Sequence, residues 1–260
     1  MKAGLIATSS LVLATVYGTA FAQVNVETLR GDLRKAPATA QVEGTFTGRL
    51  GNTQGVVAGG AANGAAKWGD SGHHRFYASS SADYTRFDTE TRVSKSFIHL
   101  RYNYVLVEDW LLGEIFVQQQ HDKFQRLLVR ELAGVGPRFV LADEEDLRFA
   151  YGTSWMFEYE RIAVAAGAPD APVVLANRWN NYLSAMVRPD DRVRAIATIY
   201  VQPRFDHFDD LRILFEAAVT TDVTKVFGLK VIGTIRYDSE PPTEVKRTDI
   251  EVKNAFVVKF

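Results

Sequence analysis

Cysteine is absent from all 260 residues, so no disulfide holds the fold, and hydrogen bonding or side-chain packing must do so alone. Long apolar runs are missing as well. Beyond the first 22 residues no stretch free of charged and polar side chains reaches half of the roughly 20 residues that a helix needs to cross a bilayer. An α-helical membrane protein is excluded. Neither sign of charge dominates, since 30 basic and 31 acidic side chains nearly cancel and are scattered along the chain. That balance argues against a nucleic-acid binder and against a disordered polyelectrolyte tail. Low-complexity blocks and solenoid periods are also lacking, which leaves one folded domain as the economical reading.

What is present begins at the two ends. Met1-Lys2 is a short basic start, Leu5 to Val16 is apolar or small, and Ala20-Phe21-Ala22 has the A-x-A form of a cleavage site. A signal peptide is expected over residues 1–22, with export and a mature chain beginning at Gln23. At the other end, Phe260, Val258, Phe256, Val252 and Ile250 fall on one face of an extended strand, with Asn254 the one polar member. Lys259, Lys253 and Glu251 fall on the opposite face, because successive strand side chains alternate. A greasy and a charged face ending on an aromatic look like the closing strand of an outer-membrane barrel, with Phe256, Val258 and Phe260 as its assembly signal.

Between Gln41 and Phe260 the alternation repeats, interrupted by turn clusters such as Gly69 to Gly72, Ala142 to Asp146, Pro189 to Asp191 and Thr220 to Asp222. Period two bounded by turn residues is strand and hairpin patterning. Strands are expected to start near Gln41, Gln54, Arg75, Arg92, Trp110, Arg126, Glu145, Val174, Arg192, Asp210, Val223 and Lys246. Twelve is an even number, as bacterial single-chain barrels require. With both termini periplasmic, the connections after even strands are short, and the two longest, Ile162 to Pro172 and Asp238 to Val245, lie outside. The expected fold is all-β: a closed antiparallel up-and-down transmembrane β-barrel over residues 41–260. A periplasmic leader of residues 23–40 precedes it. In that leader Val26, Leu29 and Leu33 have helical spacing, so it reads either as a short helix at or in the barrel mouth or as a flexible segment interrupted by Gly31 and ended by Pro37.

Parity assigns the faces. Ile98, Leu100, Tyr102, Tyr104, Phe149, Trp155, Phe157, Leu229, Val231 and Ile235 are expected against lipid, with Tyr and Trp gathering towards strand ends. Arg101, Arg130, Arg138, Arg148, Arg178, Arg188, Arg194, Arg204, Arg212, Lys230, Arg236, Lys253 and Lys259, with Glu114, Glu158, Glu216 and Glu251, are expected inside. Folding one hairpin about Val107-Glu108 sets Arg101 opposite Glu114, His99 opposite Phe116 and Phe97 opposite Gln118. His99, Arg101, Glu114, Gln118, Arg130, Arg148, Glu158, Arg194, Arg212, Glu216 and Arg236 thus form a candidate lumen network. It reads either as a constriction or as charges that satisfy one another in a narrow barrel.

Several stretches recur in one order: Asn25 to Arg30 (NVETLR), Gly51-Asn52-Thr53, His99 to Tyr104 (HLRYNY), Glu114 to Gln120 (EIFVQQQ), Asp122 with Phe124, Arg130 to Arg138 (RELAGVGPR) and Gly152 to Glu160 (GTSWMFEYE). In this order the chain resembles the DUF481 family, described as salt-induced outer-membrane proteins, over most of the expected mature chain. The resemblance implies an outer-membrane barrel and little about mechanism. Its implied partners are outer-membrane lipids, periplasmic chaperones and the barrel-insertion machinery that reads the last strand; the charge balance already speaks against nucleic acid, and a monomer is expected. Pro137 departs from a regular ladder and is expected to mark a bulge or a strand end.

Enzymatic chemistry finds little support, because Ser96 and His99 differ in parity and so face opposite sides. His73-His74 reads as a solvated pair, and no cofactor or metal is expected. Two functions remain open: a small-solute channel, anion-preferring because about three basic residues face inward for each acidic one, or a non-conducting structural or stress-related envelope barrel with a plugged lumen.

Overall fold

The computed structural model describes residues 27–49, 55–87, 90–108, 110–123, 125–164 and 167–260. The expected signal peptide and cleavage point, Asn25, Val26, Gly51 to Thr53 and Phe124 lie outside the described residues. A short helix α1 (Glu27–Asp32) precedes twelve strands: β1 (Ala38–Arg49), β2 (Gly55–Trp68), β3 (His74–Phe87), β4 (Glu90–Val107), β5 (Leu111–Asp122), β6 (Leu127–Asp143), β7 (Leu147–Ile162), β8 (Val173–Asp190), β9 (Val193–Pro203), β10 (Leu211–Asp222), β11 (Phe227–Asp238) and β12 (Thr248–Lys259). Every strand pairs antiparallel with its sequence neighbours, and β1 closes on β12. Every strand thus has a partner on both sides, with the β1–β12 seam paired over residues 41–44 and 256–259, and such closure is the condition for a sheet in hydrocarbon. The chain is a transmembrane β-barrel of twelve strands.

All strands but β1 and β11 begin within two residues of the positions expected from turn chemistry. β11 starts at Phe227 because Thr224 holds a tight turn: its Oγ1 accepts hydrogen bonds from the backbone N–H of Val226 at 3.2 Å and of Phe227 at 2.9 Å. The described parts of both longer connections, 163–164 with 167–172 and 239–247, lie at the far end of the barrel, away from the chain termini.

Side-chain parity follows the sequence. β5 turns Leu112, Glu114, Phe116, Gln118 and Gln120 inward and buried, and leaves Ile115 and Val117 exposed. Leu229, Val231 and Ile235 on β11 and Val252 and Phe256 on β12 are likewise outward and exposed. The end nearest the termini carries a band of outward rings: Trp68 stacks on His74 at 5.5 Å, His74 meets Tyr104 at 5.2 Å, and Phe139 lies between Trp110 and Tyr151 at 6.1 and 6.2 Å. Amphipathic rings concentrate where headgroups meet hydrocarbon. His74, whose Nδ1 lies 2.7 Å from the Tyr102 hydroxyl, belongs to this band and is not half of a solvated histidine pair.

Two local expectations are corrected. The β4–β5 register lies two residues from the expected one, because the hairpin turns beyond Val107, which pairs with Leu111, and a one-residue bulge follows between Val105 and Val107, so Asn103 faces Glu114, Arg101 faces Phe116, His99 faces Gln118 and Phe97 faces Gln120. A slip of two preserves parity, so every inward residue stays inward. Pro137 marks neither a strand end nor a bulge: it pairs with Gly113 in an unbroken β5–β6 register, and the β6–β7 register is the same on both sides of it. The bulges of β6 against β7 lie elsewhere, between Leu127 and Val129 and between Val140 and Ala142, and Arg138 is inward and buried.

Candidate functional site in the barrel lumen

Helix α1 lies inside the mouth nearest the termini. Its spacing puts Leu29 and Leu33 on one side, and both are buried against Ala65 of β2 and Tyr77 of β3. Polar contacts bind it to the remaining wall. Arg30 Nη2 donates to Glu114 Oε1 at 2.8 Å while its guanidinium sits 4.6 Å above the Tyr77 ring. Asp32 accepts from Arg194 of β9 at 2.9 Å, and Arg34 donates to Asp143 of β6 at 3.0 Å. Helix α1 and the two residues that follow it thus touch β2, β3, β5, β6 and β9.

Above α1, Glu114 organises a central layer. Arg101 Nη1 lies 3.6 Å from Glu114 Oε1, reaching it diagonally across the shifted register. Tyr182 of β8 donates its hydroxyl to Glu114 Oε2 at 2.5 Å and accepts from Arg138 Nη1 at 2.9 Å. Tyr182 reaches that far because β7 carries Gly152, where a Cβ would collide with the tyrosine ring. Gly134 makes the same room for Phe116, since a Cβ there would collide with that ring. The Arg101 guanidinium then lies 5.6 Å from both the Phe116 and the Tyr182 rings. Cations over aromatic faces and charge-assisted hydrogen bonds offset the desolvation that burial imposes. His99, fully buried beside this layer, has Nδ1 3.2 Å from Gln118 Oε1.

The far half of the lumen holds a second network around Glu158 and Glu160 of β7. Arg178 Nε donates to Glu158 at 2.5 Å and its Nη2 to Asp210 at 2.9 Å. Arg130 lies 3.1 Å from Glu158 and 2.5 Å from Glu160. Arg212 donates to Glu158, to Glu160 at 3.2 Å and to Asp238 at 2.9 Å. Acids and bases alternate here, as charges inside a membrane protein must. Towards the β1–β12 side, Lys230 donates to Glu43 at 2.9 Å and Lys253 to Asp83 at 2.5 Å, and Glu251 lies within 4 Å of Lys95, Lys253 and Arg236. Glu216 lines a cavity with Glu43 and Lys230, and Arg148 Nε lies 3.0 Å from Asp143 at the terminal rim.

The sequence-predicted residues therefore divide among sites. Arg101 and Glu114 share the central layer beside His99 and Gln118; Arg130, Glu158 and Arg212 share the far network; Arg194 serves α1; Arg236 belongs with Glu251; Glu216 and Arg148 lie apart from one another. Sequence reasoning missed Glu43, Asp83, Glu160, Asp210 and Asp238 as lumen acids. Glu160 has the parity of Glu158 and was legible, whereas Asp238 ends β11 at a boundary that parity does not fix. With these five acids counted, the expected thirteen inward bases to four acids become thirteen to nine, and each missed acid is within ion-pair distance of an inward Arg or Lys. Phe256 and Phe260 project outward and exposed, Val258 is half-buried, and Phe256 stacks on Phe227 at 6.0 Å.

Cavities remain in the lumen among the described residues, and α1 stands between two of them. Leu29 lines one of about 80 Å³ on the β1–β3 and β10–β12 side, while Arg30 and Leu33 line a larger one at the terminal mouth. A third, of about 70 Å³, lies among the far ends of β5–β7 and β9–β11 beneath the 239–247 loop.

Comparison with known proteins adds fold and family. A family model described as "Protein of unknown function, DUF481" matches residues 46–260. No curated protein matches the chain. Among solved structures, the COG4313 outer membrane channel from Pseudomonas putida F1 is similar with a TM-score of 0.50 and 9% identity, covering 86% of this chain and 94% of that one. The translocator domain of autotransporter NalP from Neisseria meningitidis gives 0.48 at 10% identity over 90% and 92%, and the KdgM porin in complex with disordered oligogalacturonate gives 0.47 at 8% over 86% and 98%. At such identities the likeness is one of fold.

Proposed function

We propose that this chain, which belongs to the DUF481 family, is an outer-membrane barrel whose lumen is closed at rest by α1 and the Glu114 layer. The single observation that carries this is the Arg30–Glu114 pair, which ties an inserted helix to the wall at the level where Arg101, Tyr182 and Arg138 also converge. The closed, plugged reading is thus favoured over an open channel. In this orientation the terminal mouth faces the periplasm and the 239–247 loop faces outside. Lipids contact the apolar belt, chaperones and the insertion machinery handle the chain before closure, and the barrel works as a monomer. An enzymatic role is not supported, since Ser96 and His99 project to opposite faces of β4.

A second reading, a channel that conducts only with α1 withdrawn, is favoured by the presence of cavities on both sides of the helix. Planar-bilayer recording on refolded protein separates the two. Full-length chain is expected to show no resolved current steps, and steady conductance would overturn the closed reading. A variant lacking residues 27–35 that conducts supports gating by α1; one that stays silent supports the structural barrel. Because inward acids and bases pair, any current is expected to discriminate only weakly between anions and cations.

A further inference from the structure

The cavity beneath the 239–247 loop is a built compartment. Its floor is apolar, with Leu127, Leu132, Met156 and Leu214. Its roof is Pro241, Pro242 and Val245. The roof is fastened at its edges: Thr243 donates from N and Oγ1 to Asp170 at 3.0 and 2.9 Å, and Arg126 donates to the Thr243 carbonyl at 2.8 Å and the Ala163 carbonyl at 2.8 Å. Three loops are joined in this way. Arg126 and Glu244 both hold left-handed backbone, at φ 58° and 69°, a conformation that costs non-glycine residues of order 1 kcal/mol or more and persists where surrounding contacts impose it.

The charged groups of the walls answer one another. Arg130 and Arg212 are matched by Glu158, Glu160 and Asp238. The remaining charged lining is Arg236, which lies 3.9 Å from Glu251, with Lys246, Arg247 and Asp249, so five bases and four acids surround the cavity and neither sign dominates. Two neutral amides carry unused hydrogen-bonding capacity: both Nε2 and Oε1 of Gln120, which is 1% exposed, and Nε2 of Gln118, which is 4% exposed, have no partner among the described residues. Both side chains line the cavity. Leaving buried amide groups unbonded is costly, and a guest that both donates and accepts would remove that cost.

We propose that this cavity is a binding site for a small uncharged solute that carries a hydrogen-bond donor and acceptor side by side, set between the Gln118–Gln120 wall and the Leu132–Met156–Leu214 floor. Its volume of about 70 Å³ is roughly half that of an apolar cavity that takes benzene, near 150 Å³, so the guest has only a few heavy atoms. The site does not depend on whether the barrel conducts.

Acetamide, acetate and acetamidinium test it, since they share one shape and one methyl reporter and differ in charge. Saturation-transfer NMR on the refolded full chain is expected to give transfer to the acetamide methyl and about tenfold less to either ion. Gln120→Leu, checked for folding by heat-modifiable gel mobility, is expected to weaken acetamide binding about tenfold, the size of losing one or two hydrogen bonds. Gln119→Leu, on the outward face, is expected to leave it unchanged. Gln118→Leu provides a second arm should Gln120→Leu fail to fold. Equal transfer to all three probes, no transfer to acetamide, or an unchanged signal in a folded Gln120→Leu or Gln118→Leu barrel would each overturn the proposal.

Discussion

Arg30 and Glu114 lie 84 positions apart in the chain and 2.8 Å apart in the lumen, joining the segment before the first strand to the middle of the wall. Because the protein has no cysteine, this contact can be probed with a single introduced thiol. Leu33 is buried beside α1, so Leu33→Cys is expected to react slowly with a water-soluble maleimide and at least several-fold faster when Arg30→Ala is added. Equal rates in the two backgrounds would show that the pair does not hold the helix in place.

Glu158 is 1% exposed and meets three arginines, whereas Glu244 is 76% exposed at its side chain and lies 3.7 Å from Arg126. Removing Glu158 leaves buried guanidinium charge uncompensated, and Glu158→Ala is expected to cost about 3–5 kcal/mol. Glu244→Ala should cost less than about 1 kcal/mol. Urea unfolding of the refolded barrel in lipid measures both, and coincident transitions would contradict the network.

Gly152 gives a packing test. A methyl group there runs into the Tyr182 ring, so Gly152→Ala is expected to destabilise by about 1–3 kcal/mol and to draw the Tyr182 hydroxyl off Glu114. A Cβ at Gly233 would meet nothing within 4 Å, and Gly233→Ala should be neutral within about 0.5 kcal/mol. Similar midpoints for the two variants would mean that Tyr182 does not depend on the space Gly152 leaves.

On the lipid face, Val231 lies near the middle of β11 and Leu229 nearer its terminal end. Arginine at Val231 is expected to cost about 2–4 kcal/mol and at Leu229 less, because the penalty falls towards the interface. Urea midpoints of the two variants in lipid give the comparison. A larger cost at Leu229 would displace the barrel along the membrane normal from where its aromatic band puts it.

Face assignment was legible because it needs only parity, and parity survives every two-residue slip. Register was not, since nothing in the Val105–Val107 sequence announces the later turn and the bulge that together set Asn103 opposite Glu114. The inward acids were readable where they follow a known inward residue, as Glu160 follows Glu158. They were hidden where they end a strand, as Asp238 does beside Arg212. Helical spacing of Leu29 and Leu33 was visible, but their insertion depends on Ala65 and Tyr77, which are distant in sequence. Likewise, no local pattern links Tyr182 to Glu114, since the contact depends on a glycine in the strand between them.

The seam between β1 and β12 bears on the order of events in assembly. Each other interface joins strands adjacent in the chain and can form as a hairpin, at small loop-closure cost. Residues 41–44 meet residues 256–259, and Phe260 donates its N–H to the Ala40 carbonyl at 2.8 Å, so this contact spans nearly the whole described chain. Until it forms, two ladder edges face solvent or lipid, and each unbonded backbone group in hydrocarbon costs several kcal/mol. A barrel with all but one interface made is therefore no resting point. Slow, nearly all-or-none closure follows, with the last strand as its rate-setting element.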